Sequence, residues 1–447
     1  MTRTLTRGLT TAQIRQLGRA DGDDETLAVL VAAQQTKRLL LLRMLFDVMP
    51  AAPPPAAALA ARHADLIETA EQHAAGAVRD VLQYPLVGPW LEHCINHLKN
   101  GPEDEAVRDL AHLGGIATAT AARAGLSFTT AATVHGAHLA LPTVGLFRLS
   151  VPDGSAVDIA GEDGVLVLTG AGERPVEVCR DDAGDWHSGD PRWLPLRSLD
   201  GGPRPVALDD LHPNLDLGAL PVRGAVGGQA SYERWHQLWE GALPLLRGTG
   251  RDRFTALSLL SCIVPLGSAT EEPGRARYAG TSEQGFGAVL MMTPSNAVGL
   301  AQGLTHELQH AKLGALSELM PLHAMDADNR YWAPWRPDPR PYDGLLHGVY
   351  AHLDLSGFWH RVALSTDDDA VRNEAWSKYA ECWTMNDAVL SDIRDNSTLT
   401  DAGRVFIQSL VERHEQLGGV GAPEKNLTQA AKDISDLRAE WLGRNGR

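Results

Sequence analysis

Residues Thr305–His310 read THELQH and hold the densest chemistry in the chain. His306 and His310 are four apart, so on a helix both imidazoles project from one side and can bind a single divalent ion. Glu307, next to the first histidine, can reach a metal-bound water as a base. The competing reading is a solvated helix with two incidental histidines. Gly299, Gly303 and Gly314 fall on the same stripe. Each costs about 1 kcal/mol relative to alanine inside a helix, which predicts that bulk is kept clear of the histidines and that the stripe floors a site.

Two histidines do not complete such a site: a third protein ligand is needed, with positions left open for water and substrate. The metzincin pattern would place a glycine and a third histidine where Leu313 and Leu316 stand. The gluzincin pattern would supply a glutamate from a later NExxD segment; "NEAWS", Asn373 to Ser377, echoes it without the final aspartate, and Glu381 is another carboxylate available. A second dense region, "YWAPWRPDPRPYDGLLHGVYAHLDLSGFWHRV" from Tyr331, passes from a proline-rich aromatic loop into a helix near Asp343. It carries His347, His352 and His360. His347 and His352, five apart, point to different helix faces, so His347 is the expected third ligand and His352 a packed or supporting histidine. Trp332, Trp335 and Trp359 are expected mainly in the core.

The elements that must position these groups follow from periodicity. Ser295, just after Pro294, is the expected N-cap of the motif helix, whose Leu304, Leu308, Ala311 and Ala315 make an apolar face. "GFGAVLMM" from Gly285 reads as a strand directly before it. From Thr11 to about Ala124, apolar residues recur every three or four positions, and "PAAPPPAAALAA" reads as a loop leading into a helix. From Leu126 to about Leu199, "LSFTTAATV", "GLFRLSV", "GVLVLTG" and "PVEVCRD" predict a small antiparallel sheet, whose edge could also receive an extended peptide. "DGGPRPVALDDLHPNLDLG" after Asp200 reads as a linker, and helical patterning returns near Ser231. The expected fold class is α+β and mainly helical: a helical N-terminal part (1–125), a β-rich middle (126–205) and a helical metal-binding domain (206–447) with a zincin-like strand and motif helix.

A net charge of −16 argues against general nucleic-acid binding and favours a basic or neutral partner. Cys94, Cys179, Cys262 and Cys382 are far apart, which suggests neither a disulfide framework nor a cysteine metal knuckle and fits a reducing cytoplasm. The first residues lack an apolar signal core, and "LLLLRMLF" from Leu39 is too short to span a bilayer. A cytoplasmic protein without membrane contact is expected.

Four blocks in order, "FGAVLMM", "THELQHAKLGAL", "YWAPWRPDPRP" and "LLHGVYAHL", resemble the HExxH-containing peptide-modification proteins of actinobacterial peptide gene clusters. The resemblance covers roughly Ser231 to Val362. It implies an iron(II) and 2-oxoglutarate dependent hydroxylase that oxidises the β-carbon of residues in ribosomally made precursor peptides. Iron held by His306, His310 and His347 would keep positions for the keto acid and dioxygen, although three neutral histidines differ from the usual two-histidine, one-carboxylate set. Arg336 and Arg340 are expected to bind the distal carboxylate of 2-oxoglutarate, with Arg275 and Arg277 as rivals. The other reading is a zinc metallopeptidase in which Glu307 activates water. The sequence assigns no role to the N-terminal helices, for which binding of a leader segment and formation of a homodimer both stay open.

Overall fold

The computed structural model describes residues 8–211, 228–267, 279–324, 330–418 and 421–445, with the backbone of two short strands at Leu215–Asp216 and Pro221–Val222. The fold is α+β and mainly helical. Six helices, Thr11–Gly18, Asp24–Val48, Pro54–Leu82, Val87–Asn100, Glu103–Ala111 and Leu113–Ala124, occupy the stretch expected to be helical. Thr10 and Asp23 cap the first two through their side chains. The proline run lies at a helix start, with Pro54 and Pro55 in the first turn, where a missing N–H costs little.

Next comes a five-stranded antiparallel sheet, in the spatial order Phe128–Thr133, Ala156–Glu162, Val165–Gly170, Val176–Arg180 and Trp186–His187. Along Ala156–Glu162 alternate residues are buried, which turns Val157 and Ile159 into the core. A second, three-stranded sheet joins His138–Leu141, Gly145–Arg148 and Trp193–Pro195.

The sheet that matters for the site is mixed, in the order Ala279–Thr281, Ala288–Met292, Cys262–Leu266, Val206–Leu208 and Arg197–Leu199. Its core strands, Cys262–Leu266 and Ala288–Met292, run parallel. Both faces are covered. Ile263, Val289 and Met291 face the cluster that holds the motif helix, and Cys262, Val264, Ala288 and Leu290 face the cluster shared by the N-terminal helices and the antiparallel sheet. The first cluster also takes Ile14, Leu17, Leu27 and Leu30, so the earliest helices pack with the latest. The linker expected after Asp200 is corrected here: Val206–Leu208 is a buried strand beside Cys262–Leu266. Three apolar residues among glycines and prolines are too few to show a period, and long-range pairing makes them a strand.

Helices Gln229–Thr249, Arg251–Ala256, Ala297–Leu319, Tyr342–Ser365, Asp369–Asp387, Leu390–Arg394, Asp401–Gly418 and Glu424–Asn445 complete the chain. Among the described residues, no helix is long and apolar enough to cross a membrane. All four cysteines are free thiols.

Candidate metal centre

The strand Ala288–Met292 leads directly into the motif helix Ala297–Leu319. Asn296, rather than Ser295, is the N-cap: its Oδ1 accepts the Gly299 N–H at 2.8 Å. The glycine stripe is also corrected. A Cβ at Gly303 would lie 2.7 Å from Met291 Cε, so this glycine admits the preceding strand, and Gly299 lies against Pro294. Only Gly314 of the three lines the cavity in front of the histidines.

That cavity has a volume of about 540 Å³. His306, Glu307 and His310 from the motif helix meet His347 and His352 from the helix Tyr342–Ser365 on its wall. The Nε2 atoms of His306 and His310 are 3.0 Å apart, a separation that lets both bind one ion at about 2.0–2.1 Å. On its other edge, His310 Nδ1 faces His347 Nδ1 at 3.3 Å. The His352 ring lies edge-on to His306, with centroids 5.6 Å apart. Its Nδ1 donates to the Gly348 carbonyl at 2.8 Å, which assigns the ring proton to that nitrogen and leaves Nε2 as a lone-pair donor. His347 and His352 therefore meet different histidines, as five-residue spacing requires, yet both reach one cavity.

Burial lowers the pKa of all four imidazoles, that of His306 to about 3, so they are neutral, ligand-competent bases at neutral pH. Among the described residues, only Asp181, Asp185 and His187 bring three ligand atoms within 4.8 Å of one another. That exposed trio fixes a hairpin turn, where Asp181 accepts from the Asp185 N–H and pairs with His187. The cavity histidines are instead a converged pair with two further imidazoles beside it. An open arrangement of this kind suits a reactive ion better than a closed structural cage does.

Trp335 stacks on His352 with ring centroids 4.7 Å apart and lines the cavity, whereas Trp332 and Trp359 are core residues. Arg336 and Arg340 also line the cavity, and both hold Asp338, Arg336 through Nε at 3.2 Å and Arg340 through Nη1 at 3.0 Å. Arg275 and Arg277 lie outside the described residues. Glu381 pairs with Lys378 at 3.1 Å and is not on the cavity wall. Glu374 of "NEAWS" is exposed.

Two further parts of the wall escaped sequence reasoning. The strand Ala279–Thr281 lines the cavity and, among the described strands, is the sheet's edge. Gln34, from the helix Asp24–Val48, also lines it and donates to Glu318 at 2.7 Å. The N-terminal region thus contributes directly to the site. No family model matches the chain, and no curated protein sequence matches it.

Proposed function

We propose that the chain is a metal-dependent peptide-modifying enzyme: an iron(II) and 2-oxoglutarate dependent hydroxylase of the β-carbon of a residue in a ribosomally made precursor peptide. The observation that carries this reading is the Nε2 pair of His306 and His310, 3.0 Å apart, on a cavity also walled by two arginines and an edge strand. When bound, iron(II) supplies the dioxygen activation that couples oxidative decarboxylation of 2-oxoglutarate to insertion of one oxygen atom into a C–H bond.

The chain's own residues bind and orient. His306 and His310 are two donors, and His352 is the third we favour, because its anchored Nδ1–H leaves Nε2 available. His347, against the far nitrogen of His310, fixes that ring's orientation. Arg336 and Arg340 share a single carboxylate, Asp338, so one positive charge is left over for the distal carboxylate of a keto acid. The edge Ala279–Thr281 can take an extended peptide as an added strand running past the histidines.

A second reading, a zinc metallopeptidase, is favoured by one specific feature: Glu307 shares the cavity wall with His306 and His310, where a base could accept a proton from water. Anaerobic visible spectra of the metal-free protein, taken after iron(II) and then 2-oxoglutarate, separate the two. A charge-transfer band that needs both additions and is lost in His306→Ala supports the oxygenase. Tight zinc binding without such a band moves the assignment to hydrolysis, where Glu307→Gln should abolish peptide cleavage.

A further inference from the structure

A second cavity, of about 570 Å³, lies farther along the helix that carries His347 and His352. Four arginines reach it from three elements: Arg251 and Arg253 from Arg251–Ala256, Arg361 from Tyr342–Ser365, and Arg413 from Asp401–Gly418. Asp21, Asp252 and Asp354 also line it, so one positive charge remains. Asp354 is already committed to Arg253, which pairs with its Oδ1 at 2.5 Å and donates to its carbonyl at 3.0 Å. Arg251, Arg361 and Arg413 line the cavity without an ion pair among the described residues.

Gly357 brings two of the guanidiniums together. A Cβ there would lie 2.5 Å from Arg253 Nη2 and 3.7 Å from Arg413 Nη2. Two buried polar atoms of these wall residues also lack partners. Arg253 is 9% exposed and its Nε has no hydrogen bond; His360 is 8% exposed and its Nε2 has none. Guanidiniums that converge on one wall and outnumber its carboxylates suit an anionic ligand. Burial, and after it the charges of Arg361 and Arg413, hold the His360 pKa down.

We propose that this second cavity binds a small oxyanion-bearing ligand, a phosphate or a carboxylate, gripped by Arg361 and Arg413 with Arg251 at the rim. Its carboxylate wall also touches the metal centre's helix, since Asp354 accepts from Gln309, the neighbour of His310. The proposal does not depend on which reaction the first cavity performs.

Isothermal titration of the full chain with inorganic phosphate and, separately, with succinate tests it, at constant ionic strength set by chloride. Saturable binding of either anion is expected; the one that binds identifies the ligand's chemistry. Arg361→Gln combined with Arg413→Gln should weaken that binding at least about tenfold, whereas Arg336→Gln with Arg340→Gln should leave phosphate binding unchanged. Circular dichroism checks that each variant is folded. Because Arg361 is exposed, the single Arg361→Gln variant provides the test should the double variant fail to fold. No saturable binding of either anion, or equal binding by the Arg361 and Arg413 variants, would overturn the assignment. So would loss of phosphate binding in the Arg336 and Arg340 variant, which would place the anion in the first cavity.

Discussion

Trp335 lies directly across Gly348: a Cβ on that glycine would come within 2.2 Å of the indole, which stacks on His352 one turn farther on. The missing side chain thus holds the tryptophan, and the tryptophan holds the histidine. Gly348→Ala should push the indole off His352 and cost about 1–3 kcal/mol by overpacking. If His352 is a ligand, metal affinity should also fall about 10–100-fold, as it does when groups supporting a ligand are lost. Competition titration with a chromogenic chelator, beside a thermal melt, measures both. Unchanged affinity with a lowered melting temperature would confine Gly348 to packing.

Asp354 is a buried carboxylate on the wall of the second cavity. It is 6% exposed, pairs with Arg253 and accepts from Gln309. Lys312 is buried nearby; burial pushes its pKa down to about 8, while Asp354 and Asp21 oppose the fall. Asp354→Asn would keep the shape and remove the charge that offsets these cations. Breaking a buried pair from one side costs about 3–5 kcal/mol, so the urea midpoint should drop markedly. A loss of less than about 1 kcal/mol in unfolding free energy would show that water or local rearrangement already screens the group.

His63 gives a pH-dependence away from the histidine-lined cavity. It is 1% exposed, with Nε2 2.9 Å from the Ala131 carbonyl, where the helix Pro54–Leu82 meets the strand Phe128–Thr133. Burial lowers its pKa below 6.5, against the opposing effect of that hydrogen bond. His414, 2% exposed, is lowered likewise, first by burial. The unfolded chain takes up these protons near pH 6.5 and the folded chain only at lower pH, so acidification favours unfolding. Stability due to these groups should therefore be level above about pH 7 and decline below pH 6.5, by at most about 1.4 kcal/mol per pH unit per group. Urea unfolding of metal-free protein between about pH 8 and 5 reads this, and His63→Gln should give the shallower decline.

Local pattern made much of this readable in advance. Three-and-four spacing exposed the N-terminal helices and the row of His306 and His310, and the apolar run before Pro294 exposed the strand that feeds the motif helix. What escaped depends on residues distant in sequence. Val206–Leu208 is a strand only because Cys262–Leu266 lies beside it. Gly303 serves Met291, and Gly348 serves Trp335, contacts that spacing along one helix cannot disclose. Ser295 and Asn296 are both good caps by type, and it is Asn296 whose side chain accepts the Gly299 N–H. The second cavity draws its arginines from three separate helices, so no single motif marks it.

His347 and His352 meet different members of the histidine pair. His347 comes first and was the expected third ligand, yet its Nδ1 faces the Nδ1 of His310, on the opposite ring edge from the Nε2 that approaches His306. Its Nε2 lies 4.0 Å from Asp343 Oδ2. His352 has its ring proton held by the Gly348 carbonyl and stands edge-on to His306. A metal-binding histidine characteristically donates its other N–H to such an acceptor. His352→Ala should therefore weaken metal binding more than His347→Ala does, with the second change limited to about 10–100-fold, the range for a group that orients a ligand. Parallel competition titrations of the two variants with zinc and, anaerobically, with iron(II) decide the matter. The reverse order of losses would return the third position to His347 and leave His352 as a packing residue beneath Trp335.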